Sequence, residues 1–270
     1  MPMWIDTHVH FDAPSFDATR ADDWQRAQRE GVMVQVVPSI APFDFETVRE
    51  LAHQFDGTTY ALGIHPMYVM NLDPELALEQ LRAALVQHRD DPKLVAIGEI
   101  GLDGFVKDLD MDKQILFYQA QLKLAKEFDL PVILHVRHAQ DTVIKYLRQY
   151  SIQNGIAHAF NGSFSQAEAY IKQGMKLGFG GMMTFDKANQ IRRLARELPI
   201  ETIVLETDAP DIPPAWAYKQ NNYSYYLPRI AQTLCALREM DAPVLSKQLT
   251  ANTVAALPKI KHVLNSSDKA

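Results

Sequence analysis

The sequence predicts an α/β fold, a (β/α)8 TIM barrel, on three observations. Eight short apolar runs, at about 3–9, 32–37, 59–64, 94–99, 131–135, 156–160, 176–181 and 202–207, have strand character. Amphipathic stretches separate most of them at roughly 20–40-residue spacing, the rhythm of parallel βα units. Several runs end in a histidine or a carboxylate, and the strand ends are where barrel enzymes collect their chemistry.

Taken in order, the first run is Trp4-Ile5-Asp6-Thr7-His8-Val9-His10. The turn after it, Val9 to Pro14, has no glycine, which argues against an open dinucleotide-binding sheet. Ala61-Leu62-Gly63-Ile64-His65 closes the third run and Ala96-Ile97-Gly98-Glu99 the fourth. Between the fourth and fifth, Asp112 to Phe128 sets Ile115, Tyr118, Leu122, Ala125 and Phe128 on one helical stripe. Val132-Ile133-Leu134-His135 and Ile156-Ala157-His158 follow, then a helix expected to open with the capping box Ser165 to Glu168 and to stop at Gly174. Val204-Leu205-Glu206-Thr207-Asp208 is the last run. Residues 1–264 are expected to form one domain and 265–270 a polar, frayed tail.

The 270 residues, 47% of them hydrophobic, suit one barrel-sized core. Cys235 is the single cysteine and lies on the apolar stripe Leu227, Ile230, Ala231, Leu234, so it reads as a core filler. It excludes an internal disulfide, and with no signal-like start and no run near the ~20 apolar residues of a membrane span, a cytoplasmic, membrane-free protein is expected. Nothing in the pattern calls for an obligate protein partner. The formal charge of −6 argues against a broad basic nucleic-acid surface, though not against nucleic acid as a substrate, since divalent ions would reverse the sign inside a cleft.

The strand-end residues converge on metal chemistry. His8 and His10 are two apart on an extended segment and point the same way. Glu99, flanked by glycines, would be costly to bury without a partner and can bridge two ions. His135 and His158 end adjacent strands and can hold a second ion. Asp208 ends the strand that neighbours the first in a closed barrel, so it can ligate the first ion and accept a proton from water. Each alone has an ordinary structural role; together they make a nitrogen and carboxylate set suited to zinc, manganese or magnesium. His65 and Arg137 are the expected substrate contacts. His53, His88 and His262 lie in polar or helical contexts and read as surface residues.

Six ordered segments carry a resemblance. His8-Val9-His10-Phe11-Asp12, Gly63-Ile64-His65-Pro66, Gly98-Glu99-Ile100-Gly101-Leu102-Asp103, Leu130 to His135, His158 to Ser163 and Leu205-Glu206-Thr207-Asp208-Ala209-Pro210 resemble the signatures of the TatD family of metal-dependent deoxyribonucleases, from residue 4 to about 255. Within it the chain is most similar to the YjjV-type branch. The resemblance implies a barrel of the amidohydrolase, metallo-dependent hydrolase type with two divalent ions. His8, His10, Glu99 and Asp208 would hold one ion; Glu99, His135 and His158 the other. It implies 3′→5′ exonuclease action on DNA, with Glu99 and Asp208 in the catalytic roles and a hydroxide shared by the ions as nucleophile. One segment departs: Asn221 to Pro228 keeps Asn222 and Leu227-Pro228 of an Arg-Asn-x-Pro-Glu-like stretch and adds tyrosines, which could stack on bases or pack internally. The same site could instead open an ester or amide, as a deacylase would. A non-catalytic metal-binding barrel is the remaining alternative.

Overall fold

A computed structural model describes residues 2–267. Its strands are β1 (Trp4–Asp6), β2 (Val32–Pro38), β3 (Thr58–Leu62), β4 (Leu94–Asp103), β5 (Val132–Arg137), β6 (Gly155–Ala157), β7 (Met175–Phe179) and β8 (Ile203–Leu205). They pair in parallel in sequence order. Thr7 donates its amide and its hydroxyl to the Leu205 carbonyl, and Asp208 donates its amide to that of His8, drawing the ends of β8 and β1 together. The helices are α1 (Arg20–Arg29), α2 (Phe45–Gln54), α3 (Pro74–Gln87), α4 (Met111–Phe128), α5 (Gln140–Gln149), α6 (Phe164–Lys172), α7 (Asn189–Glu197), α8 (Leu227–Arg238), α9 (Ala242–Ala256) and α10 (Lys261–Ser267). The predicted (β/α)8 barrel is the observed fold.

The strands are apolar because both of their faces are covered, by the barrel interior and by the helices. Every residue of β4 is buried. At the N-terminal end of the barrel Ile5, Val34, Val36, Ala61, Val95, Ile133, Ile156 and Val204 form one cluster, which Leu257, Ile260 and Val263 join from the end of α9 onward. Each such side chain removed from water contributes about 1.5–3 kcal/mol, so this floor fixes the strands from which the site hangs.

Local signals explain most boundaries. Asp110 caps α4 by accepting from the amides of Asp112 and Lys113, and Phe117, Tyr118, Leu122 and Ala125 face the core. The cap of α6 differs from expectation. It is Ser163, in extended conformation, whose Oγ accepts from the Gln166 amide while the Gln166 side chain accepts from the Ser163 amide. Ser165 merely pairs with the Ser163 hydroxyl. At the other end α10 carries the chain to Ser267, so the expected tail begins as helix, and 268–270 lie outside the described residues.

Strand lengths place the chemistry. β1, β6 and β8 have three residues each, so His8, His10, His158 and Asp208 lie in the turns beyond them. β4 behaves oppositely: it runs four residues past Glu99, which therefore stands inside the barrel wall and not at its rim. The β4–β5 register shifts between Ile97 and Ile100, the residues flanking Gly98-Glu99, and such irregularities re-aim side chains. Gly101 makes the close approach possible. Its φ is 147°, and a Cβ there would lie 2.0 Å from the His135 carbonyl oxygen.

Candidate metal centre

Glu99 is the hub. Its side chain is 1% exposed, and its two oxygens face different histidines. Oε2 lies 3.1 Å from His8 Nε2 and 3.5 Å from His10 Nε2. Oε1 lies 2.9 Å from both His135 Nδ1 and His158 Nε2, and 3.3 Å from His65 Nε2. Asp208 Oδ1 closes the other side, 3.5 Å from His8 Nε2 and 3.8 Å from His10 Nε2. The six expected donors are thus brought together.

Their spacing also allows groupings beyond the expected one. Three sets of potential ligand atoms lie within 4.8 Å of one another: His8, His10 and Glu99; His8, His158 and Asp208; and His65, Glu99 and His135. His158 approaches Asp208 as well as Glu99, and His65, expected to touch substrate, also stands among the donors. Arg137 sits at the exposed end of β5, its guanidinium 3.8 Å above the Phe105 ring.

The donor set fits divalent ions on observations of its own. Nδ1 and Nε2 of His8 and Nδ1 of His158 are buried without a hydrogen-bond partner. The 3.1 Å approach of His8 Nε2 to Glu99 is therefore not aligned as a hydrogen bond. Buried polar atoms are normally paired, and an ion is one way to satisfy such nitrogens. The His8 and His158 rings stack at 3.9 Å, 10° from parallel, an arrangement two imidazolium cations would resist. Burial, reinforced by the His158 charge, pushes His8 down to about 3. For His158 burial opposes the charge, but Glu99, with Asp208 and Glu206, outweighs it and lifts the ring to about 10. Burial likewise opposes the charged form of His10, and Glu99 and Asp208 raise it to about 9. Glu99 is held well below the usual carboxylate range: burial alone would raise it, but His65, His158 and His8 win.

Sequence reasoning passed over two carboxylates behind the donors. Asp103 Oδ2 lies 3.0 Å from His135 Nε2, which turns Nδ1 toward Glu99. The His135 bond, with amides of Val106 and Phe105, lowers the Asp103 pKa against the opposing effect of burial. Glu206 Oε1 lies 3.8 Å from His158 Nδ1 and accepts from the Ala159 amide. A Cβ on Gly178 would come within 2.1 Å of Glu206 Oε2, so only glycine leaves room for this side chain. Burial lifts Glu206 to about 8. Two-residue parity was the available signal: Val204, Glu206 and Asp208 alternate onto one side of an extended chain.

The tyrosine-rich segment is internal packing. Tyr223 and Tyr225 stack at 4.7 Å, Tyr223 meets Phe16, and the Arg26 guanidinium covers Tyr225 at 3.8 Å. Buried Asn222 donates to the carbonyls of Thr207, Asp211 and Ile212, and the Ser224 hydroxyl donates to Asp6 Oδ2. Asp6 also accepts from the Thr207 amide and hydroxyl, so the segment braces the loop that carries Asp208. Cys235 is half-buried against the core, in keeping with a filler, and His53 is an exposed partner of Asp91 at 2.7 Å.

No helix among the described residues is long and apolar enough to cross a membrane. The model of the TatD related DNase family matches residues 5–258. The metal-dependent hydrolase YjjV of Escherichia coli K12 is 39% identical over 93% of this chain and 96% of its own. The crystal structure of a YjjV TatD homolog from that organism superposes with a TM-score of 0.90 at 38% identity, over 94% of this chain and 98% of the other. A protein of Erwinia amylovora named 3′-5′ ssDNA/RNA exonuclease TatD is 29% identical over 93% of this chain and 98% of its own. With nearly its whole length matched, this chain belongs to the TatD-related DNase family.

Proposed function

We propose that this metal-dependent hydrolase cleaves phosphodiester bonds in DNA, removing nucleotides from the 3′ end, with residues 1–264 acting as one catalytic domain. The observation that carries this reading is the division of Glu99 between two sets of histidines, one for each oxygen. A carboxylate so placed suits two ions. His8, His10, Glu99 and Asp208 would hold one, with Glu99, His135 and His158 holding the other. The mixed nitrogen and oxygen donors favour zinc or manganese over magnesium, which prefers oxygen alone. The name of the Erwinia relative supports the phosphodiester electrophile and the direction of attack.

Bound divalent ions supply Lewis acidity, which lowers the pKa of water and neutralises charge developing on phosphorus-bound oxygens. The protein's own groups do the rest. Glu99, His8 and His158 are sealed, whereas the side chains of Asp208, His135 and His10 are 13%, 14% and 20% exposed. Substrate and water therefore arrive on the Asp208, His135 and His10 side. Asp208 has its amide fixed to the His8 carbonyl and its basicity raised by burial, which suits it to accept a proton from the attacking water and return it to the leaving oxygen. His65, pushed down to about 4 by burial, is a neutral imidazole at pH 7. Its Nδ1 accepts from the Met67 amide, so its one N–H is on Nε2, beside Glu99 and His135, where it can donate to a phosphate oxygen at the centre. Arg137 supplies positive charge at the rim. The amides of Ser163 and Gln166 at the start of α6 are already used by its capping box and offer no anion contact.

The test is cleavage of 5′-labelled single-stranded DNA by metal-reconstituted protein beside Asp208→Asn. The expected result is a ladder shortening from the 3′ end that the substitution abolishes while the fold persists. Intact DNA, with turnover of ester or amide substrates instead, would overturn the phosphodiester reading.

A further inference from the structure

Among the described residues, every exposed phenylalanine, tyrosine or tryptophan lies on a loop that follows a strand at the catalytic end of the barrel. These are Phe43 after β2, Tyr68 after β3, Phe105 after β4 and Tyr218 after β8. Isolated exposed apolar groups are ordinary, but a full set of aromatics gathered at one mouth is not. Two of them touch. Phe43, 71% exposed, and Tyr68, 43% exposed, meet edge to face with ring centroids 6.1 Å apart at 61°. Tyr68 in turn contacts the His65 ring at 6.1 Å, and His65 Nε2 is 3.3 Å from Glu99.

We propose that Phe43 and Tyr68 form a stacking ledge for the base of the nucleotide whose phosphate occupies the metal centre. This rests on the phosphodiesterase reading and adds the element that holds the nucleotide. One aromatic contact separates Tyr68 from His65, the proposed phosphate contact beside Glu99, so a phosphate bound there brings its own nucleotide to this ledge. The chain's formal charge of −6 argues against a broad basic track for a phosphate backbone, and stacking is the sequence-tolerant alternative source of affinity. Bases already stacked in a duplex cannot use such a ledge.

The test compares kcat/KM for two single-stranded oligonucleotides, one ending in a 3′ thymidine and one in a 3′ abasic residue. The wild-type protein should prefer the thymidine end about tenfold or more. Phe43→Ala and Tyr68→Ala should each reduce that ratio toward one, and Tyr68→Phe should restore it. A wild-type ratio near one, or a full preference retained by both alanine variants, would overturn the ledge. Circular dichroism and metal content establish that the variants are folded and loaded. A second readout separates this inference from the activity on which it rests. A phosphorothioate-protected oligonucleotide with 3′-terminal 2-aminopurine should lose fluorescence on binding to the wild-type protein and keep it with Tyr68→Ala. If the wild-type protein cleaves neither oligonucleotide, the nuclease reading fails. The quench then decides the ledge alone: quenching that Tyr68→Ala removes supports it, and no quenching overturns it.

Discussion

The two ends of the barrel are built from the same strands and obey opposite rules. At the floor, Ile5, Ile133, Ile156 and Val204 exclude water and carry no polar group to satisfy. Two to four residues further along the same segments stand His8, His135, His158 and Asp208, where burial is spent on ionisable groups crowded around Glu99. A short distance along each chain thus separates what holds the protein together from what gives it chemistry. Substitutions at the two ends should fail in different ways.

The largest effect belongs to the hub. Glu99→Gln should lower hydrolysis on the order of a thousandfold, the several kcal/mol that metal ions supply, and reduce bound metal as read by elemental analysis. Next comes its counterpart at the floor. Leu257→Ala should cost about 2–5 kcal/mol in denaturant unfolding while the folded fraction keeps its metal. Loss of metal in Leu257→Ala, or of stability alone in Glu99→Gln, would break the division. Asp103→Asn sharpens it by removing an orienting group without touching a donor. Metal affinity should fall about 10–100-fold as His135 loses its alignment, measured by competition with a chelating dye.

Protons report the same contrast. In the metal-free protein His158 and His10 have pKa values of about 10 and about 9, so both are charged at pH 7. Ligands must be neutral, so binding should release protons and tighten as pH rises, which calorimetry in buffers of different ionisation heat would detect. Glu206 works through stability. Its pKa of about 8 lies above the ordinary carboxylate value, so the folded state holds a proton the unfolded state has lost. Metal-free stability should therefore fall between about pH 4.5 and 8, and Glu206→Gln should flatten that decline. The smallest effect is expected at Tyr225→Ala, about 1 kcal/mol from loss of the Arg26 contact, with DNA cleavage unchanged.

How much of this could be read from sequence follows from range. The eight strands and their order were legible because apolar runs and helical stripes are local signals, as Asp112 to Phe128 illustrates against the observed α4. The candidate donors could be picked out because each ends or closely follows such a run. Less legible were the further approaches, of His158 toward Asp208 and of His65 toward Glu99, since these depend on how far short strands continue into turns and on the register shift between β4 and β5. Asp103 and Glu206 were hidden because an orienting carboxylate is defined only by the histidine it meets across the barrel. The tyrosines of 223–226 were ambiguous for the same reason, since stacking on a base and stacking on one another demand the same residues.

The central claim, that the donors around Glu99 hold the ions that perform the hydrolysis, is tested most directly by titrating metal-stripped protein with manganese while following cleavage of single-stranded DNA. The account predicts no cleavage without metal and activity that saturates at two ions per chain. Full activity in the stripped protein, or saturated binding with no dependence of cleavage upon it, would contradict the account.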